Sequence, residues 1–143
     1  MPSRQPVGEF LAALGERTPV PASGTAAALT AAMGAALTEL AARFAGDGDA
    51  VTRAQALVAR LERLADEDGE AYTAFMASRS DEARRRTIEV PERIAAAADE
   101  AAALADRLAV VLRTSVAGDA EAGAALARAA AAVARRLAEL NRV

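Results

Sequence analysis

The sequence predicts an all-α protein, a single bundle of about five helices over residues 1–143, expected to assemble as a homodimer. Three observations carry that expectation. Ala and Leu dominate and aromatic residues are only 3%, a composition that forms helices well and strands poorly. Apolar residues recur at steps of three and four over long stretches. The breaks between those stretches are short turns, with no internal repeat and no linker that would divide the chain. Ala-rich helices bury little area each, so they must pack closely or pair with another subunit, which is the reason to expect a dimer.

Residues 1–5 read as a frayed end. Pro6 to Leu14 forms a short first helix, with Phe10, Leu11 and Leu14 on one face and Gly15 closing it. Thr18 to Gly24 is a proline-bearing loop. Pro21 cannot continue a helix from upstream, and Ser23 or Thr25 can cap the N–H groups of the helix that follows. That second helix is expected from about Thr25 to Ala45. Leu29, Met33, Leu37, Leu40 and Phe44 recur along it, Gly34 sits in the middle, and no wide polar face precedes Glu39 and Arg43. It is therefore predicted to be buried on most sides. A capped core helix explains the stretch, and a loop presenting N–H groups at a buried helix start is also a ready anion site.

Gly46-Asp47-Gly48-Asp49 is the clearest turn, and Asp49 is expected to cap a third helix from about Ala50 to Ser78. Its stripe runs Val51, Ala54, Leu57 or Val58, Leu61, Leu64, then Tyr72, Phe75 and Met76. Continuing the steps from Leu57, Leu61 and Leu64 leads to Asp68 before the stripe resumes. Asp66, Glu67 and Glu70 fall off it and can face water. A carboxylate on a buried face is costly unless paired or used, so periodicity singles out Asp68. A charged residue at the edge of a stripe is the plainer alternative.

Ser78-Arg79-Ser80-Asp81 marks the next turn, with Ser78 or Ser80 available as a cap. The fourth helical region, about Asp81 to Arg113, contains Pro91, which predicts a kink or a break near Glu89–Val90. Thr114 to Gly118 reads as a loop, and Asp119 is placed to cap a last helix from about Ala120 to Leu140. There Leu126, Ala130, Val133, Leu137 and Leu140 alternate steps of four and three, which suits either an internal seam or a dimer surface.

Net charge is −3, with 17 basic residues, all Arg, against 20 acidic ones. That is not the footprint of a nucleic-acid binder, and Arg84-Arg85-Arg86 beside Asp81 and Glu82 reads as a solvated face. With no Cys and no His, the described chemistry excludes disulfides, thiol nucleophiles, Cys/His zinc sites and a Ser-His triad. Acid–base work would fall to Asp, Glu, Tyr72, Arg or hydroxyls. The first residues carry no apolar core of signal-peptide length, and the uncharged run from Thr18 to Thr38 is a poor membrane span. A soluble, cytoplasmic protein without membrane partners is expected.

Four motifs follow one another in a distinctive order. Pro19-Val20-Pro21-Ala22-Ser23-Gly24-Thr25 leads into an Ala/Leu/Gly helix, and Asp66-Glu67-Asp68-Gly69-Glu70-Ala71-Tyr72 lies on the long third helix. Val90-Pro91-Glu92-Arg93-Ile94-Ala95 opens a further stretch, and Gly118-Asp119 precedes the close. This order resembles the cyclodeaminase/cyclohydrolase family, the all-helical domain that forms the C-terminal part of formiminotransferase-cyclodeaminase. That domain also occurs alone as a methenyltetrahydrofolate cyclohydrolase. The corresponding family patterns are TPxPGGGS, DEDAEAF, VPLxIA and a Ser-Asp pair. Departures fall on polar positions: Ala22-Ser23-Gly24-Thr25 replaces the glycine-rich loop, Arg113-Thr114-Ser115-Val116-Ala117 carries no Asn, and Gly118 stands for Ser. Leu137 stands where the closing helix has its first Asn, leaving Asn141, and the segment before Val90 is shortened.

The resemblance implies chemistry on the one-carbon unit bridging N5 and N10 of tetrahydrofolate. Family members expel ammonia from the 5-formimino form or add water to the 5,10-methenyl cation. By resemblance Asp68 and Asp119 are the candidate catalytic acids, with Asp68 as base; a plain helix cap is the alternative for Asp119. Ser23, Gly24 and Thr25 would hold the substrate, and Arg43 or Arg113 could meet folate's anionic tail, although cations near helix C-termini need no such role. No metal and no cofactor beyond the folate substrate is implied. Two other readings are a relative with its pocket remodelled for another small molecule and a non-catalytic helical oligomer. Asp68 and the 22–25 loop meeting in one pocket would favour an enzyme; Asp68 far from that loop would favour the oligomer.

Overall fold

The computed structural model describes the backbone of residues 1–143 and every side chain except that of Thr114. A 3-10 turn at Pro2–Arg4 precedes five α-helices: α1 (Val7–Leu14), α2 (Ser23–Ala45), α3 (Gly48–Ser78), α4 (Asp81–Val111) and α5 (Thr114–Arg142). The expected all-α bundle is what forms. The first residues are not frayed: Ser3 donates from both its N–H and its hydroxyl to the Asp66 carboxylate, at 3.0 and 2.6 Å.

α2 packs against α3, α4 and α5 and forms the centre of the bundle. The side it buries is its small one, Ala27, Ala28, Ala31, Gly34, Ala35, Thr38, Ala41 and Ala42. Of the large residues expected in the core, Met33 (56% exposed), Leu40 and Phe44 (66%) lie outward, while Leu29 is half-buried against the core. Close approach of the backbones decides this. A Cβ built on Gly34 would stand 2.7 Å from the carbonyl oxygen of Gly123 on α5, and one on Gly123 would stand 2.8 Å from that of Gly34. Helices this near leave room only for hydrogen or methyl groups between them. α5 likewise buries Ala120, Ala124, Ala127, Ala130, Ala131, Ala134 and Ala138, so that of the stripe that suits either an internal seam or a dimer surface Ala130 is buried while Val133 and Leu140 are exposed. By length and a mean hydropathy of 1.3, α2 would also suffice to cross a membrane, contrary to the sequence expectation; here it is the helix the others pack around.

The turns follow local chemistry. Gly46 closes α2 at φ 69°, a left-handed conformation that glycine adopts without strain. The cap of α3 is Asp47, two residues earlier than expected, whose carboxylate accepts from the N–H of Ala50 at 3.0 Å. Ser80 caps α4 by accepting from the N–H of Ala83 at 3.1 Å. Leu112 and Arg113 alone connect α4 to α5. The expected loop from Thr114 to Gly118 is the start of α5, so Asp119 lies inside a helix that Arg113 precedes as N-cap residue. Asp99 and Asp106 on α4 pair with Arg135 and Arg128 on α5, and Glu92 pairs with Arg142. Their heptad spacing on both helices fits one antiparallel register.

Pro91 does not break α4, which runs unbroken from Asp81 to Val111. Proline lacks the N–H that would bond the carbonyl of Thr87 one turn back. That carbonyl accepts instead from Asn141 Nδ2 of α5 at 2.8 Å. The gap in one helix is filled by the side chain of another.

Candidate functional site

α2 begins without a side-chain cap of its own, because Ala22 occupies the N-cap position and neither Ser23 nor Thr25 bonds there. Its first N–H groups have no partner within the helix and carry the positive end of the helix dipole. Asp68, projecting from the middle of the buried face of α3, faces them. A Cβ built on Gly24 would lie 2.3 Å from Asp68 Oδ1 and 2.4 Å from both Cγ and Oδ2. Only glycine lets the carboxylate rest against this helix start. Thr25, fully buried, donates its hydroxyl to the carbonyl of Ala65 at 3.2 Å and so ties α2 to α3 one turn before Asp68.

Two effects compete at Asp68. Burial raises its carboxyl above that of a free Asp, while Thr25, through a hydroxyl shared with the Ala65 carbonyl and through its backbone N–H, favours the charged form. Burial wins, so the proton is held more tightly than on a free Asp. The group lines a cleft of about 200 Å3 with Pro19, Val20, Ala22, Ser23, Gly24 and Tyr72. Thr87 and Pro91 of α4 and Leu137 and Asn141 of α5 line it as well. A carboxyl that holds its proton tightly, beside helix N–H donors, can exchange a proton with a ligand in that cleft.

The expected site residues thus divide. Asp68, Ser23 and Gly24 line one cleft, with Thr25 beneath it. The chain does not bring Asp119, Arg43 or Arg113 there. Arg43 lies roughly 28 Å along α2 from Gly24 at 1.5 Å per residue, exposed and paired with Glu39 at 2.9 Å. Asp119 lies roughly 27 Å along α5 from Leu137 by the same rise. Its neighbour Ala120 packs with Ala41, Ala42, Ala50 and Leu104 at the other end of the bundle. Arg113 precedes Asp119 at that end. Asp119 is no N-cap, and these three residues take no part in the cleft of this chain.

Sequence reasoning missed Tyr72, Thr87, Pro91 and Leu137 as cleft residues. Tyr72 reads as a stripe residue and an available acid–base group, Leu137 as a stripe residue at a family Asn position, and Pro91 as a helix break within the Val-Pro motif, none of which places it in the cleft. A signal was available in Asn141, the only Asn in the chain, one turn beyond Leu137 on an otherwise Ala-, Leu- and Arg-rich helix.

The family model described as formiminotransferase-cyclodeaminase matches residues 6–142. The chain belongs to that family. The crystal structure of formiminotetrahydrofolate cyclodeaminase from Thermotoga maritima superposes on this cyclodeaminase-family chain with a TM-score of 0.90. Identity is 23%, and the match covers 97% of this chain and 79% of that one. At that identity the likeness establishes the fold. No match was found among curated proteins.

Proposed function

We propose that this cyclodeaminase-family protein acts on the one-carbon unit of a tetrahydrofolate, the 5-formimino or the 5,10-methenyl form, with Asp68 as the proton-transfer group. The observation that carries the proposal is the Asp68 carboxyl, seated over Gly24 at the start of α2 and made more basic by burial. The family and the Thermotoga maritima cyclodeaminase fold support it.

Both reactions need one group to take a proton and return it. In ammonia release, N10 attacks the formimino carbon and Asp68 accepts the N10 proton as the bond forms. It then delivers a proton to the amino group, which leaves as ammonia and the methenyl bridge remains. In hydration, Asp68 accepts a proton from the water whose oxygen bonds to the bridging carbon. It returns a proton to N5 as the C–N5 bond breaks, the hydroxyl proton goes to solvent, and the formyl group stays on N10. Each substrate carries positive charge at the reacting carbon, and an ionised carboxylate beside it lowers the barrier electrostatically. A carboxyl whose hold on its proton is tightened by burial suits this double duty better than an ordinary Asp.

A cleft of about 200 Å3 is below the usual range for a whole drug-sized ligand, so the reacting bicyclic part would enter it and the tail would lie outside. A larger hollow of about 630 Å3 lies across Val20 and Pro21, lined also by Gln5, Thr25 and Thr73. One observation favours a second reading, a relative remodelled for another small molecule. The apolar Leu137 lines the cleft where the family resemblance leads one to expect Asn. Purified protein given each folate separately decides between the two. Gain of methenyl absorbance from the formimino substrate, or its loss from the methenyl substrate, above the buffer rate supports folate chemistry. No change with either, and no heat of binding by calorimetry, favours the remodelled cleft.

A further inference from the structure

We propose that Asn141 is a positioning residue for the Asp68 cleft, locked in place by the proline gap of α4. This rests on reading that cleft as the substrate site. Pro91 is buried and removes the only intrahelical donor for the Thr87 carbonyl. Asn141 Nδ2 supplies that donor at 2.8 Å from a different helix. Because an amide oxygen turned toward a carbonyl would be repelled, the bond also fixes which way the Asn141 amide faces. Arg84 adds a second clasp, donating to the Arg142 carbonyl at 3.1 Å. Thr87 donates its own hydroxyl to the Arg84 carbonyl at 2.6 Å, which holds the α4 side of the contact. The end of α5, with Leu137 and Asn141, is thereby held on α4 where both residues line the cleft. Proline in the middle of a long helix is otherwise unfavourable. Here it creates a docking point that α4 itself cannot fill.

The test is a cycle of Asn141→Ala, Pro91→Ala and the double variant, read two ways. Loss of Asn141 alone strands a carbonyl, an effect expected to lower Tm by about 3–8 °C. With Pro91→Ala, the new N–H at position 91 satisfies that carbonyl, and the same Asn141→Ala change should lower Tm by less than half as much. The second readout is Tyr72, the only tyrosine in a chain without tryptophan and a lining residue of the cleft. Acrylamide quenching of its fluorescence should steepen in Asn141→Ala when Pro91 is present, and by less when Pro91→Ala has already weakened the anchor. Equal Tm losses in the two backgrounds would overturn the proline-gap anchor. Unchanged quenching would leave Asn141 a stability contact only and overturn its positioning role. Both readouts need no substrate, so their failure is separate from failure of the folate assignment.

Discussion

Gly24→Ala is the sharpest perturbation of the site. The added methyl would stand 2.3 Å from Asp68 Oδ1, whereas ordinary van der Waals contact begins near 3.4 Å, so the carboxylate must retreat by roughly 1 Å. The atom that yields is the end of a side chain, not backbone, so the helices need not separate. Gly24 is in helical conformation, and alanine there can return up to about 1 kcal/mol of helix propensity against an overpacking penalty of about 1–3 kcal/mol. The fold should survive with a modest change in Tm. Catalysis should not, because a misplacement of about 1 Å can cost on the order of 100-fold, or about 2.7 kcal/mol of barrier. The assay is kcat/KM on the active folate with circular dichroism on the same samples. Gly48→Ala is the control, since nothing lies within 4 Å of a Cβ placed there on the first turn of α3. Wild-type turnover in folded Gly24→Ala would refute the idea that the seating of Asp68 against this glycine matters to the reaction.

Two further predictions follow from the same structure. The Asp68 carboxyl is raised in the folded state, so native protein binds that proton more tightly than unfolded protein does. Stability from the protonated form is therefore present below the unfolded pKa and is lost as pH rises through the raised folded value. Wild type should lose stability relative to Asp68→Asn across that window in pH-dependent thermal melts, while turnover rises on the same limb as the base ionises; a parallel pH course for the two proteins would contradict the assignment. At the α2–α5 crossing, Gly34→Ala meets backbone rather than a side-chain end, and it should destabilise by about 1–3 kcal/mol despite better helix propensity. Chemical denaturation checks this, and a more stable variant would disprove the close crossing.

The order of the helices and most of their extents were legible in the sequence because Ala and Leu propensity and short turns act locally. The start of α5 at Thr114 was not, since Thr114 to Gly118 carries loop-forming residues that the helix accommodates. Which way the helices face was not. Met33, Leu40 and Phe44 on α2 and Val133 and Leu140 on α5 form apolar stripes, yet they are exposed. In so Ala-rich a chain, backbones approach until glycine and alanine fill the seam, and large side chains are pushed to its margins. The opposite held on α3, where Leu57, Leu61 and Leu64 are buried and the period carried through to Asp68. That is why the one acid found by periodicity reached the cleft. Asp119, Arg43 and Arg113 were assigned by resemblance, or by nearness to a helix end, and neither fixes which end of the bundle a residue occupies. The role of Asn141 depends on a carbonyl left open by Pro91 on another helix, a pairing no local pattern records.

The central claim is that Asp68 moves the proton. Asp68→Asn keeps the shape of the side chain and removes its basicity, and the neutral amide suits a site where burial already disfavours charge. Turnover of wild type and Asp68→Asn on the formimino and methenyl folates, at matched thermal stability, is the most direct test. Wild type is expected to turn over, with a loss of about 100-fold or more in the variant. Equal turnover by the two proteins would contradict it.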